Sequence, residues 1–286
     1  MTRGALADRI AEATGRTVRG LSPVGSGTAG DRLHRALFED GGHAMVKSAT
    51  AGDHLAVEGR MLHFLTERSD LPVPAILASA PDFLVMEEID AGGILDAEGE
   101  AQAADMIARL HGVTADRHGL DFDTVIGGLA QPNGWDEDWR RFFAEKRLLA
   151  MAKQGRDAGR LPGEFMPRIE RLAGRLDRWI DAPGPPSLLH GDLWGGNLLA
   201  RGGRVAGFID PAIYYGDAEI ELAFTRLFQT FTDAFYRRYA DHRPIRPGFI
   251  EERCALYNLY PLLVHVRLFG GGYVTRVEHT LTQFGV

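Results

Sequence analysis

A single cysteine, Cys254, stands among 286 residues, which excludes an internal disulfide and suits a reducing compartment. No basic block occurs, and 39 acidic against 32 basic side chains leave a net charge of -7, which argues against a nucleic-acid surface. No apolar run reaches the roughly 20 residues of a membrane helix; the longest lie near Pro74–Pro81 and Tyr257–Val266. A signal-peptide stretch is missing too, because Arg3, Asp8, Arg9, Glu12 and Arg16 interrupt the start of the chain. Cys/His groups with metal-ligand spacing are absent, so no zinc site is expected. These absences lead to the expectation of a cytoplasmic protein with neither membrane nor nucleic-acid partner; separately, a monomer is expected. Glycine, by contrast, is abundant, at 35 positions, and its placement carries information.

The pattern changes near residue 90. Before it, Val18–Val24, Leu33–Phe38, His43–Ser48 and Phe83–Met86 are short β-like runs, with Glu39-Asp40-Gly41-Gly42 as a hairpin turn and a helix over Asp53–Arg68. After Ala91-Gly92-Gly93, helical stripes dominate: Met106, Ile107 and Leu110; Trp139, Phe142, Phe143 and Leu149; Ile169, Leu172, Leu176 and Trp179. A β-like island covers Ser187–Asp210, and helical stripes resume over Ile220–Tyr239 and Phe249–Phe269. The expected class is α+β and bilobal, with a small β-rich lobe at 1–90 and a larger, mostly helical lobe at 91–286.

Gly25-Ser26-Gly27-Thr28-Ala29-Gly30 is a G-x-G-x-x-G. A dinucleotide fold would need a helix next and an acidic residue about twenty positions on. Here a hairpin follows, and Lys47 stands seventeen residues after Gly30 on a strand. That arrangement suits a phosphate-covering hairpin with a lysine reaching the phosphates, as in kinases. Glu58 falls on the same helix face as Leu55, Met61, Leu62 and Leu65. A carboxylate in an apolar stripe either snorkels at its edge or is paired, and Lys47 is the candidate partner.

The densest signal is Leu188-Leu189-His190-Gly191-Asp192-Leu193-Trp194-Gly195-Gly196-Asn197, followed by Phe208-Ile209-Asp210-Pro211. Asp192 precedes Asn197 by five residues, the spacing at which a kinase catalytic loop places its proton acceptor and a magnesium ligand. Asp210 follows after a turn, where a second magnesium ligand is expected. Each alone could cap a turn; their order, with Lys47 and Glu58 upstream, points to phosphoryl transfer from ATP with Mg2+. Gly191 stands where many protein kinases carry the Arg that answers a loop phosphate, and the short Asp210–Asp217 interval leaves no room for a long regulatory loop, which argues against a phosphorylation-switched protein kinase.

The stretch from His190 to Asn197 and the run Ile209-Asp-Pro-Ala-Ile-Tyr-Tyr-Gly-Asp217 resemble the fructosamine (ketosamine) kinase family. So do Gln131-Pro132-Asn133-Gly134-Trp135, Glu221-Leu222-Ala223 and the tail from Leu256 to Tyr273, while the triple-glycine loop is closer to that of protein kinases. The resemblance implies a protein kinase-like fold and ATP-dependent phosphorylation of a sugar hydroxyl on a small-molecule or protein-linked ketosamine, in a deglycation or repair role. It implies Asp192 as base with Lys47 and Glu58 in support, and Asn197 and Asp210 on the metal. It implies the connector Met86-Glu87-Glu88-Ile89 on the nucleotide and Trp194 against the sugar, while Gly25, Gly27 and Gly30 are expected over the phosphates from the kinase-like hairpin itself. Tyr260 and His265 would line the substrate wall, and Asp217 or Glu219 would meet the amine. An aminoglycoside- or choline-type phosphotransferase shares this chemistry. A non-catalytic nucleotide-binding module fits less well, because Lys47, Asp192, Asn197 and Asp210 are all present.

Overall fold

The computed structural model describes residues 3–27, 30–50 and 52–286; Thr28 and Ala29 of the glycine-rich segment lie outside these. Two compact units result. One takes the residues up to Gly99 with Gly127–Leu129 and Asn197–Pro211; the other takes Glu100–Ile126, Ala130–Gly196 and Ala212–Val286. The β-island is thus divided between them, a detail that sequence pattern alone does not convey.

The first unit begins α1 (Arg3–Thr14), β1 (Val18–Ser26), β2 (Arg32–Phe38), β3 (His43–Ser48), α2 (His54–Arg68), β4 (Ile76–Ala80) and β5 (Phe83–Met86). The strands form one antiparallel sheet in the order β1-β2-β3-β5-β4. Alternation along each strand separates two faces. Leu6 and Ile10 of α1 cover one face, packing on Ala36, Phe38, Ala44, Val46, Phe83 and Val85. Leu55 and Leu62 of α2 pack with Leu84 and Met86. Each fully buried leucine or isoleucine contributes about 1.5–3 kcal/mol, so these two helices fix the sheet from its flanks. In register, Leu33 of β2 pairs with Lys47 of β3, which pairs with Leu84 of β5.

In chain order there follow α3 (Ala97–Leu110), β6 (Thr124–Ile126), β7 (Leu129–Gln131), α4 (Trp139–Phe142), α5 (Ala150–Asp157) and α6 (Phe165–Ala173). Next come β8 (Ser187–Leu189), β9 (Leu198–Arg201), β10 (Arg204–Phe208), β11 (Tyr214–Gly216), α7 (Ala218–Leu227), α8 (Asp233–His242), α9 (Cys254–Phe269) and α10 (Gly272–Gln283). The hairpin β9–β10 belongs to the first unit and turns through Gly202 and Gly203, both at positive φ. The expected helix over Ile220–Tyr239 is two helices, because the chain breaks at Gln229, a non-glycine residue held at φ 54°.

A π-helical turn over Phe143–Leu149 joins α4 to α5. It carries the buried Arg147, whose guanidinium donates to the Pro132 carbonyl and to Asn133 Oδ1, both at 2.7 Å. The same group lies 3.9 Å from the Tyr214 ring centroid. Arg147 thereby fixes the Gln131-Pro132-Asn133 segment, giving that run a structural reason.

Candidate active site

In the first unit, Lys47 Nζ lies 2.5 Å from Glu58 Oε1 and 2.5 Å from Asp210 Oδ1. Strand β3 turns Lys47 to the face covered by α2, where Glu58 falls on the buried stripe of that helix. Burial opposes the ammonium, but Glu58 and Asp210 outweigh it, so the Lys47 pKa rises and the group stays charged. Burial also raises the Glu58 pKa; Lys47 counters this only in part, and Asp210 adds to it. One cation thus serves two carboxylates, an imbalance that further positive charge would relieve.

Asp210 sits at φ 54°, a conformation a non-glycine residue rarely holds. The β9–β10 hairpin delivers it. Leu198 pairs with Phe208, and beyond that rung Ile209 N–H donates to the Asn197 carbonyl at 3.0 Å. Asn197 and Asp210 therefore leave the same end of one hairpin. Both offer hard oxygen donors, and the Asp210 side chain is 36% exposed, a donor set that suits Mg2+ completed by nucleotide phosphates. Among the described residues no cluster of three or more His, Cys, Asp or Glu has metal-binding geometry.

The glycine-rich hairpin closes through Gly27 N–H to the Asp31 carbonyl at 2.8 Å, and Gly30 takes φ 81°, which favours glycine. Asp31 also meets His54 at 2.9 Å, tying the foot of the hairpin to the start of α2. Downstream, Met86 ends β5, Glu87 N–H donates to the Ala75 carbonyl at 2.8 Å, and Glu88 pairs with Arg35. Ile89 packs on Gly207 so closely that a Cβ there would lie 2.5 Å from Ile89 Cδ1. The connector Met86–Ile89 is thus seated on the hairpin that carries Asn197 and Asp210.

In the second unit, Gly191 has φ 84°, and a Cβ there would lie 2.0 Å from the Ala212 carbonyl oxygen. Glycine is required for the loop to pass. The backbone N–H groups of His190 and Gly191 donate to Glu221 at 3.1 and 2.5 Å, and Glu221 also meets His111 at 2.9 Å. Burial would raise the Glu221 pKa, yet the hydrogen bond from His111, the charges of His111 and His190 and the Gly191 N–H hold it low. Glu221 thus anchors the segment leading into Asp192. Sequence reasoning assigned it no role, and its partner His111 is 110 residues away.

Trp194, 38% exposed, begins a chain of rings: Phe228 at 5.7 Å, then His265 at 5.0 Å from Phe228, then Tyr273 at 4.8 Å from His265. His265 is bonded through Nδ1 to the Pro261 carbonyl at 2.8 Å, and burial lowers its pKa, so it serves as an uncharged ring. Phe228, absent from the sequence-based set, is the ring that links Trp194 to His265.

Two expectations need correction. Tyr260 is buried, and its hydroxyl donates to Gln131 Oε1 at 2.6 Å, so its polar group is already satisfied within the protein. Asp217 is taken up by protein partners: it caps α7 through Glu219 N–H, accepts from Tyr257 at 3.0 Å and pairs with Arg246 at 2.5 Å. Glu219 is likewise bound by Arg246 at 2.8 Å and by Arg253 at 2.6 Å. Neither carboxylate is left for a substrate amine.

A strand lysine held by a helix glutamate, a glycine-rich hairpin and an Asn/Asp pair on a second hairpin define a phosphotransferase of the protein kinase-like fold. The fructosamine kinase family profile matches residues 5–284. A Synechocystis protein named as a probable ketoamine kinase is 44% identical over 172 residues, 58% of this chain and 55% of that one. A solved Thermobifida fusca structure, assigned as a fructosamine-3-kinase, is 32% identical with a TM-score of 0.87, covering 97% of each chain. The ADP-bound aminoglycoside phosphotransferase APH(2'')-Ib shares the fold at a TM-score of 0.62 over 98% of this chain and 97% of that one, with 16% identity. The chain belongs to the fructosamine kinase family, and is an enzyme of the kinase class. Among the described residues no helix is long and apolar enough to cross a membrane.

Proposed function

We propose that this protein transfers the γ-phosphoryl group of ATP to a sugar hydroxyl of a ketosamine. The observation that carries the reading is the Lys47 ammonium between Glu58 and Asp210, in a chain of this family. Lys47, fixed by Glu58, binds and orients the nucleotide phosphates. Gly25, Gly27 and Gly30 cover them with backbone, and Met86–Ile89 holds the base. Asn197 and Asp210 hold Mg2+, which supplies charge neutralisation to the phosphates when bound. Asp192 accepts the proton of the attacking hydroxyl, and Glu221 positions its loop. Trp194 offers a flat apolar face to the C–H side of the sugar. The lone cysteine and ATP dependence suit a cytoplasmic enzyme.

An aminoglycoside acceptor is disfavoured for a specific reason. A polycation needs converging carboxylates. Helix α9 has no Asp or Glu, and Asp217 and Glu219 are neutralised by Arg246 and Arg253. Steady-state ADP release with ribulose-lysine, fructose-lysine, kanamycin and choline tests the reading. The ketosamines should give the highest kcat/KM, and a higher value for kanamycin would overturn the acceptor assignment.

A further inference from the structure

The reverse face of the sheet holds a feature the phosphotransferase chemistry does not use. Leu33 pairs with Lys47, so alternation turns Arg32, His34, Ala36 and Phe38 to the face covered by α1. Ala36 and Phe38 are sealed by Leu6 and Ile10. Toward the N-terminal end of α1 the packing opens into a cavity of about 290 Å3, lined among others by Arg3, Gly25, Arg32, His34, Ser48 and Thr50. No Asp or Glu lines it among the described residues, and the first turn of α1 has no acidic residue.

His34 is 6% exposed, and its Nδ1 has no hydrogen-bond partner among the described residues. A buried ring nitrogen without a partner is costly unless a ligand or water satisfies it. Arg3 and Arg32 line the same cavity as His34. Burial lowers the His34 pKa first, the charges of Arg3 and Arg32 lower it further, and a hydrogen bond to the Arg32 backbone opposes them in part. Two arginines without a carboxylate make a site that only an anion completes. The positive end of α1 adds to the same field. Leu6 and Pro23 supply apolar wall, and the volume is at the low end of the roughly 300–1,000 Å3 typical of small-molecule sites.

We propose that this cavity binds a small phosphate monoester the size of a sugar phosphate. Arg3 and Arg32 hold the phosphate, and His34 Nδ1, Ser48 and Thr50 hydrogen-bond the ligand. Arg32 is the rung opposite Ser26 at the mouth of the glycine-rich hairpin, so the ligand is held by the same hairpin from its other side.

Isothermal titration of the full chain with glucose 6-phosphate, at saturating Mg-ADP so that the nucleotide site is filled, tests this. The wild type should bind with a Kd of about 1 mM or tighter, and Arg3→Gln and Arg32→Gln should each weaken binding about tenfold. Inorganic phosphate should bind more weakly than glucose 6-phosphate, and glucose should give no heat. Both arginines are exposed, so these variants should keep the wild-type Tm. An independent readout is the His34 ring resonances of the wild type, which should shift on addition of glucose 6-phosphate. Absence of binding, wild-type affinity in both arginine variants, an affinity for inorganic phosphate equal to that for glucose 6-phosphate, or unmoved His34 resonances would each overturn the proposal.

Discussion

In the proposed reaction Asp192 does one thing that its neighbours cannot, which is to accept the proton of the attacking hydroxyl while the phosphates are held elsewhere. Asp192→Asn keeps the shape and removes the acceptor. Turnover on the ketosamine should fall by roughly 100-fold or more, with ADP affinity unchanged. Near-wild-type kcat in the variant would remove Asp192 from the chemistry. Lys47 and Glu58 present a different case, because their contact of 2.5 Å is buried and each is the other's solvent. Lys47→Met or Glu58→Gln alone leaves a buried group without its counter-charge, at a cost of about 3–5 kcal/mol. The double variant should cost less than the sum of the singles by at least about 1 kcal/mol in urea unfolding. Strict additivity would mean that the pair contributes nothing as a pair. Both residues were legible in the sequence, since one stands on a strand and the other interrupts an apolar helical stripe. Asp217 was legible as an acid at the end of the Ile209–Asp217 run, but its partner Arg246 is 29 residues away, and no spacing rule reveals that contact.

Loops and helices carry the next level of constraint. Gly191 bends the chain into the Asp192 loop at a φ that L side chains avoid, with the Ala212 carbonyl filling the place of a Cβ. Gly191→Ala should therefore destabilise the protein by about 1–3 kcal/mol and lower kcat with it. Unchanged stability and turnover would show that the loop has room to give. Phe228, at the C-terminal cap of α7, links Trp194 to His265. Phe228→Ala should raise KM for the ketosamine about tenfold and leave KM for ATP unchanged, because the ring supports the acceptor platform only. A rise in KM for ATP instead would show that the ring acts on nucleotide binding. Elements with a clear period were readable: β2, β3, α2 and β5 follow strong alternation or stripes. Helix α1 was not, since Leu6 and Ile10 are its only buried residues, and β4 is small and mixed in character. The π-turn at Phe143–Leu149 was hidden because its aromatic stripe reads as an ordinary helix.

The candidate-site motifs were readable in one dimension because phosphoryl transfer favours particular residue types at short spacings; what holds those motifs in place is long-range. Glu221 is the clearest example. It receives the backbone of His190 and Gly191 and the ring of His111, so one carboxylate joins α3's end, the Asp192 loop and α7. Glu219 plays a similar part with Arg246 and Arg253. Both carboxyls are held below their ordinary range; burial works against this, and the hydrogen bonds and charges of their partners prevail. Depressed folded-state values make the sign definite. The stabilisation is complete above the unfolded glutamate pKa of about 4.3 and is lost as pH falls through the lower folded values. Thermal melts from neutral pH down to about pH 3 should therefore show Tm falling steeply on the acid side. Glu221→Gln should lower stability at neutral pH by roughly 2 kcal/mol and make the acid limb shallower, because it has no proton to take up. If the variant's Tm ran parallel to wild type through the acid range, Glu221 would not be a source of that pH dependence, and its role in holding the Asp192 loop would have to rest on packing alone.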